Sequence, residues 1–596
     1  MRYPLPLAFT LLVPALATSQ TVTKLLAPDY YFGDQFGVSV AMSGDYAIVG
    51  AHRESNDAGA AYVFRRTGPN TWDAGVKLVA PDAQDGDYFG YSAAISADYA
   101  IVGARMENTG GTGAGAAYVF RRTGLNSWDA GVKLVANLAH SDEYFGGSVA
   151  IDGDYAVVGA DGDDTRGSDA GAAHVFRRTG LNSWDAGVEL GAPDAEAVDN
   201  FGVSVAISGD YLVGGAHQED IGGADAGAAY VFHRTGTNSW DGGVKLMASD
   251  SWAGDRFGQS VAIQGDYVII GAPRGDTGGA DAGAAYVFDR TGINSWDGGA
   301  KIVAPDAQDG NNFGQAVAMG GDYAIVGAWM QDDGGTDAGA AYVFKGTGLN
   351  SWDGGAKIVA PDAQDGDRFG VSVAISSNHH IVGAYLQDGG SSDAGAAYVH
   401  RLPPATPTTL AAPADGAVGQ DIRPTLAWNV ASGADSYRLQ VASDVSFVTL
   451  VFDTDSIATT ARQVGPLANN RTYHWRVRAK NESGVSDWSA AWSFTTYPPP
   501  NVQAVVIVDS FDVPGGSPTG LAWDGASLWI IDNLNNVYQL DTNGVELSWF
   551  SSPTSASDLT WDGQYLWLHN GSARNTTAVD AAGTVVKQLP MGYWSG

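Results

Sequence analysis

From Val203 to Ala248 the chain runs in short apolar stretches broken by polar, glycine-bearing ones, and the pattern predicts four strands: Val203–Ser208, Tyr211–Ala216, Ala228–Arg234 and Val244–Ala248. Ser208-Gly209-Asp210 between the first two is a tight hairpin turn. Thr235 to Gly242, reading TGTNSWDG, is a longer hairpin loop before the last strand. The same wording restarts at Phe36, Phe89, Phe145, Phe201, Phe257, Phe313 and Phe369, about 56 residues apart except for the first pair. Four antiparallel strands per unit make a propeller blade. The last copy stops after Val399-His400 and lacks its fourth strand, while Lys24-Leu25-Leu26-Ala27-Pro28-Asp29 stands before the first Phe-Gly and matches Lys301 to Asp306. If that orphan strand completes the final unit, the ring closes at seven blades and leaves no open sheet edge.

Phe-Gly opening each unit, and Val-Gly-Ala or Ile270-Gly271-Ala272-Pro273 closing the second strand, resemble the FG-GAP repeats of integrin alpha-subunit propellers and their bacterial relatives over residues 21–401. The resemblance implies an all-β, seven-bladed propeller whose loop-bearing face engages ligand. Integrin blades that hold calcium carry Asp-x-Asp-x-Asp-Gly between the first two strands. This chain has Ser-Gly-Asp-Tyr or variants there, so that calcium site is absent.

Leu402 to Thr408 reads as a proline-rich linker. Residues 409–497 resemble a fibronectin type III domain, an immunoglobulin-like β-sandwich. Pro424 to Trp428 and Ser436 to Val441 read as strands, and Leu467 stands six residues before Tyr473 as in a tyrosine corner. Trp428 is expected in the core between sheets. Such a module serves as a spacer or protein-binding unit and carries no reaction by itself. A second linker covers 498–502. In residues 503–596, Leu521 to Trp529 (LAWDGASLW) recurs as Leu559 to Trp567 (LTWDGQYLW), which is similar to blades of a second, incomplete propeller. Two blades cannot close a ring, so the chain is expected to be a fragment of a longer reading frame, unless this region pairs with something else.

Composition adds an address and an exclusion. Residues 1–17 carry Arg2, an apolar run through Leu5, Phe9, Leu12 and Val13, and Ala15-Leu16-Ala17, the pattern of a signal peptide cleaved before Thr18. No later stretch is apolar for the 18 residues a membrane span needs, so a secreted, extracellular protein without a transmembrane segment is expected. Cysteine is absent, which excludes disulfides and thiolate chemistry. The formal net charge of −34 and pI near 4.3 argue against nucleic acid as partner.

Comparing the seven copies with one another locates the freedom to differ. Directly after the Gly-Ala of the second strand stand His52, Arg105, Asp161, His217, Pro273, Trp329 and Tyr385, unlike in every property while the strands beside them barely change. Loops of this kind on a rigid scaffold are where binding concentrates. With Arg274 taken for the fifth blade, these are the expected ligand-binding residues. The same face gathers aspartate: Asp57, Asp169, Asp225, Asp281, Asp337 and Asp393 precede Ala-Gly-Ala-Ala. The third blade sets Asp161, Asp163, Asp164 and Asp169 in one loop. Either these carboxylates bind calcium, which takes six to eight oxygens, or they cap turns. Arg274-Gly275-Asp276 is an adhesive tripeptide by wording, and too short to build on.

Trp72, Trp128, Trp184, Trp240, Trp296 and Trp352 emerge on the opposite face and read as covering the outer edge of each one's own blade, with sugar stacking as the alternative. His379 and His380, adjacent on a strand, point to opposite sides and cannot share one metal. No Gly-x-Ser-x-Gly, His-Glu-x-x-His or phosphate-cradling loop is present. The expected function is adhesion or binding of an extracellular protein or glycan, not catalysis. The alternative is an extracellular carbohydrate-active hydrolase or lyase with these modules as accessories.

Overall fold

The computed structural model describes residues 22–498 and 514–590, apart from 349, 377, 403, 404, 432, 482, 483, 571 and 574. The expected signal peptide and nearly all of the second linker lie outside the described residues.

Seven antiparallel sheets follow one another in chain order, six of them with four main strands and a short fifth, the seventh with four strands in all. In the fourth blade the strands are Ser204–Ser208, Tyr211–Ala216, Ala228–Gly236 and Val244–Leu246, close to the expected bounds. The third strand is longer than its sequence suggests, because it has two outer partners. Its first half pairs with Val244–Leu246, and its second half turns back on a two-residue strand, Ser239–Trp240. Asp241 joins the two pieces: its Oδ1 accepts the backbone N–H of both His233 and Gly243. A carboxylate that satisfies two backbone donors explains why Trp-Asp recurs in six copies.

Blades interlock through backbone. Gly227 of the fourth blade bridges in parallel to Phe257 of the fifth, and the same contact recurs between every neighbouring pair. It requires glycine: φ is +83°, and a Cβ would lie 2.1 Å from the Phe257 carbonyl oxygen. The serine two residues after Phe-Gly adds Ser204 Oγ to the Gly258 carbonyl at 2.8 Å. Hydrophobic clusters sit between adjacent blades. In one of them Phe257 packs edge-on against Tyr286 and Phe288, beside Val213 and Val231 of the preceding blade. Each such buried phenylalanine contributes about 1.5–3 kcal/mol.

The ring closes as its ends imply. Val22–Leu25 pairs with Ala396–Arg401 as the outer strand of the seventh blade, with Val22 opposite His400. Phe36 bridges Gly395, and Ser372 Oγ donates to the Gly37 carbonyl at 2.8 Å, so the seventh blade meets the first as every other pair meets.

Residues 410–496 form a sandwich of a three-stranded and a six-stranded sheet. Trp428, Trp475, Leu439 and Phe494 fill its core, and the Ala468 N–H donates to Tyr473 Oη at 3.0 Å, which makes the tyrosine corner. Leu402 is buried against the seventh blade and Ala405 in the sandwich core, so the linker's apolar side chains pack into both modules. Propeller and sandwich form one compact unit, and residues from 497 onward form another. The second unit holds two four-stranded antiparallel sheets, Pro518–Ser551 and Asp558–Pro590, which share a core of Trp529, Ile531, Leu559 and Leu568. Its repeated wording has a local cause: Asp524 accepts the indole N–H of Trp529, and Asp562 that of Trp567.

Candidate functional site

The second strand of each blade ends, and the next blade's first strand begins, at one mouth of the ring. The residues that differ between repeats meet there. His52 is buried edge-on against Tyr88 and Tyr91, at 5.4 and 5.6 Å between ring centres. Burial, with Arg53 and Arg105 nearby, lowers its pKa to about 4, so it is neutral at pH 7. The Arg105 guanidinium lies 4.7 Å from the ring centres of both Tyr91 and Tyr144 and donates to Tyr91 Oη at 2.9 Å. Burial opposes its charge, but Tyr91 and Asp161 hold its pKa above the ordinary value. Asp161 answers from the third blade, where burial raises its pKa despite Arg105. Across the seam, Tyr385 is half-buried and feels Arg368, Arg53 and Tyr91. Trp329 lies under the Arg368 guanidinium at 4.8 Å. His217 is buried, and its pKa falls to about 4 through burial and through Arg256 and Arg274. Arg274 itself is exposed. The expected ring of variable residues is therefore one continuous surface from the sixth blade through the closure to the third, with a second group at the fourth and fifth.

Reading only the residues after Gly-Ala missed half of this surface. Gln35, Tyr88, Tyr144, Asn200, Arg256, Asn312 and Arg368, each directly before Phe-Gly, hold left-handed backbone, with φ between 52° and 61°. Left-handed backbone at tyrosine and arginine is strained, and such strain gathers at functional sites. A weaker signal was present in the sequence, since these seven positions hold four residue types, Gln, Tyr, Asn and Arg, beside an unchanging Phe-Gly. The two rings hold Arg105, Arg256 and Arg368, and with Arg53 and Arg274, each one residue further along its loop, five arginines stand around one mouth of a protein in which Asp and Glu outnumber Lys and Arg 66 to 32.

The aspartates serve mostly as turn formers. Asp34, Asp87, Asp199, Asp255 and Asp367 are buried and each accepts the backbone N–H three residues earlier. Asp169, Asp225, Asp281, Asp337 and Asp393 sit in left-handed backbone, and each N–H donates to an aspartate five residues earlier. The four carboxylates expected to share a calcium ion have separate engagements. Asp164 accepts the Asp169 N–H at 2.8 Å, Asp161 faces Arg105, and Asp163 turns toward His174 and Glu189. The tripeptide is divided in the same way, because Asp276 caps Asp281 while Arg274 stays exposed.

On the opposite face the tryptophans do not each cover their own blade. Trp184 meets Tyr99, Trp240 meets Tyr155 and Trp296 meets Tyr211, each edge-on at 6.2–6.3 Å across a blade boundary. Arginine completes the joint: Arg234 stacks 4.5 Å over the Tyr155 ring, donates to its hydroxyl and pairs with Asp210. In the seventh blade His379 replaces the tyrosine and meets Trp72, and its Nε2 lies 3.0 Å from the Pro69 carbonyl. His380 points the other way and stacks on His400 at 5.0 Å, both buried.

The FG-GAP repeat family matches residues 20–64, 72–120, 128–176, 184–232, 240–288, 296–344 and 352–400. From the second match on, the unit opens at the tryptophan and ends in the third strand, so it straddles two blades as the closure does. Residues 414–497 match the family described as Rha78A-like, N-terminal immunoglobulin domain. Among solved structures, the chain is similar to one titled "Structure of FN3tt mut" at 20% identity, covering 16% of this chain and 99% of that one with a TM-score of 0.13. A second is a Fn3-like protein from Clostridium thermocellum at 22% identity, covering 16% and 93%, also with a TM-score of 0.13. No curated protein matches the chain. Among the described residues no helix is long and apolar enough to cross a membrane. With seven consecutive matches spanning more than half of its length, the chain belongs to the FG-GAP repeat proteins.

Proposed function

We propose that this protein is an exported binding protein that engages an extracellular ligand, glycan or protein, through the variable mouth of its propeller, and that the ligand is negatively charged where it docks. FG-GAP repeats with an immunoglobulin-like module suit an extracellular binding or adhesion protein. The observation that carries the reading is the mouth itself: on seven nearly identical blades, the residues that differ converge on one surface, and five of them are arginines in an otherwise acidic chain. Arginine presents a planar fork of donors to carboxylate or sulfate, and an anionic ligand would compete for guanidiniums that now lie near loop aspartates, Arg53 near Asp57 and Arg368 near Asp337.

The test is binding of the full chain to immobilised acidic and neutral polysaccharides and extracellular matrix proteins, beside Arg53→Glu/Arg274→Glu. Both positions are exposed, so the fold is expected to persist. Binding should weaken at least about tenfold and fall steeply with salt. Undiminished binding by the variant would remove the mouth from consideration. Release of product from any polysaccharide would favour the carbohydrate-active reading instead.

A further inference from the structure

Six blades carry the same polar knot where the third strand meets the outer strand, a tyrosine, an aspartate and a lysine. In the second blade Tyr118 Oη donates to Asp82 Oδ1 at 2.7 Å, and Lys133 Nζ reaches Asp82 Oδ2 at 2.8 Å and Glu107 Oε1 at 2.9 Å. The lysine is the cation that holds carboxylates from two loops together. The third blade departs at every position of this knot at once. His174 replaces the tyrosine, Leu138 the aspartate and Glu189 the lysine, and Asp163 stands where the first, second and fourth blades have glutamate. The knot has lost its lysine and gained an imidazole, and the cation beside it is now Arg166, which pairs with Glu189.

The replacements converge. Donor atoms of Asp163, His174 and Glu189 lie within 4.8 Å of one another. His174 is 4% exposed, held against Phe145 as the tyrosines are held in other blades, and its Nε2 has no hydrogen-bond partner. The nearest carboxylate oxygen, Asp163 Oδ2, is 3.9 Å away, too far for a hydrogen bond and somewhat wider than the roughly 3.3 Å between two ligands of a tetrahedral zinc, so the two side chains would close slightly about an ion. Asp163 Oδ1 is oriented by the Thr165 N–H at 2.8 Å. Glu189 Oε1 lies 2.5 Å from Arg166 Nη1, both side chains about one-third exposed, so an ion bound here would compete with Arg166 for this carboxylate.

We propose that Asp163, His174 and Glu189 form a divalent transition-metal site that clamps the loop after the second strand to the third and outer strands of the third blade, with the ion in the role the lysine plays elsewhere. One nitrogen and two carboxylate ligands select a zinc-class ion. Calcium, which takes six to eight oxygens, does not suit an imidazole. The site stands apart from the mouth and shares only Asp163 with the aspartates of the loop.

The experiment is cobalt(II) titration of the chelator-treated, untagged full chain, read by its visible d–d absorption and by melting temperature. The expected result is one equivalent bound, displaced by zinc but not by millimolar calcium, with a rise in melting temperature. The triple variant Leu138→Asp/His174→Tyr/Glu189→Lys restores the knot of the other six blades, so it should fold normally and lose both the bands and the thermal response. Glu189→Gln, which keeps His174 and the fold, should weaken cobalt at least about tenfold. Absence of saturable binding, or bands that persist at full strength in either variant, would overturn the proposal.

Discussion

The two faces of the propeller are made from the same seven repeats and obey opposite rules. On the tryptophan face a residue of one blade is the partner of a residue in the next: tyrosine, arginine, aspartate and tryptophan form a joint that must be repeated to work. At the mouth the corresponding positions make contacts that differ at every step, histidine on tyrosine, arginine between tyrosines, tryptophan under arginine. Regularity marks the face that holds the ring together, and irregularity marks the face proposed to meet a ligand. Blade boundaries, rather than blades, are the units of stability.

The sharpest break in that contrast is at the backbone contact between blades. Gly227→Ala sets a Cβ 2.1 Å from the Phe257 carbonyl in left-handed backbone and should cost about 3 kcal/mol or more, seen as failure to fold or a large fall in denaturation midpoint. A melting curve like that of the parent would mean the blades do not depend on this approach.

The closure seam offers the next effect, and it depends on pH. Burial lowers the pKa of His400 to about 4 and that of His380 well below its ordinary value, and His400 lowers His380 further. An unfolded histidine titrates near 6.5, so between pH 6.5 and 4 the unfolded chain binds protons that the folded chain refuses. Stability contributed by these neutral rings is complete above pH 6.5 and declines as pH falls toward 4. His380→Ala/His400→Phe, the residues of most other blades, should recover on the order of 2 kcal/mol of the loss between pH 7 and pH 5. Identical pH profiles for parent and variant would contradict the assignment.

Smaller effects separate the faces directly. Arg234→Ala removes one joint and should cost about 1–2 kcal/mol, with no change in ligand binding. Arg274→Glu at the mouth should leave stability within about 0.5 kcal/mol and change only binding. Paired chemical denaturation and binding assays on the two variants read both axes, and a reversed pattern would exchange the roles of the faces.

Much of this was legible before any coordinates. The repeat, its four strands, the orphan strand and the sandwich with Trp428 in its core follow from wording and spacing, because turn chemistry and apolar periodicity are local; the orphan strand, expected at Lys24 to Asp29, pairs over Val22–Leu25. The variable residues after Gly-Ala were legible for the same reason. Arg256, Arg368, Tyr88 and Tyr144 are less visible, since residue types recur at their position and nothing in a linear reading says that a residue before Phe-Gly stands beside one after Gly-Ala. The tryptophans were read as serving their own blades because sequence adjacency suggests it; the packing gives them to the preceding blade's tyrosine.

By itself the sequence determined the number of blades, the strand order, the place of closure and the family of modules, all of which depend on patterns repeated within one stretch of chain. Tertiary structure alone decided which residues share a surface. It ranged five arginines round one mouth, set most of the loop aspartates to capping backbone, and brought Asp163, His174 and Glu189 together from three separate segments. The reason is physical: a blade's local energetics are settled by neighbours in the chain, whereas a site is assembled from side chains that meet only when the ring has closed.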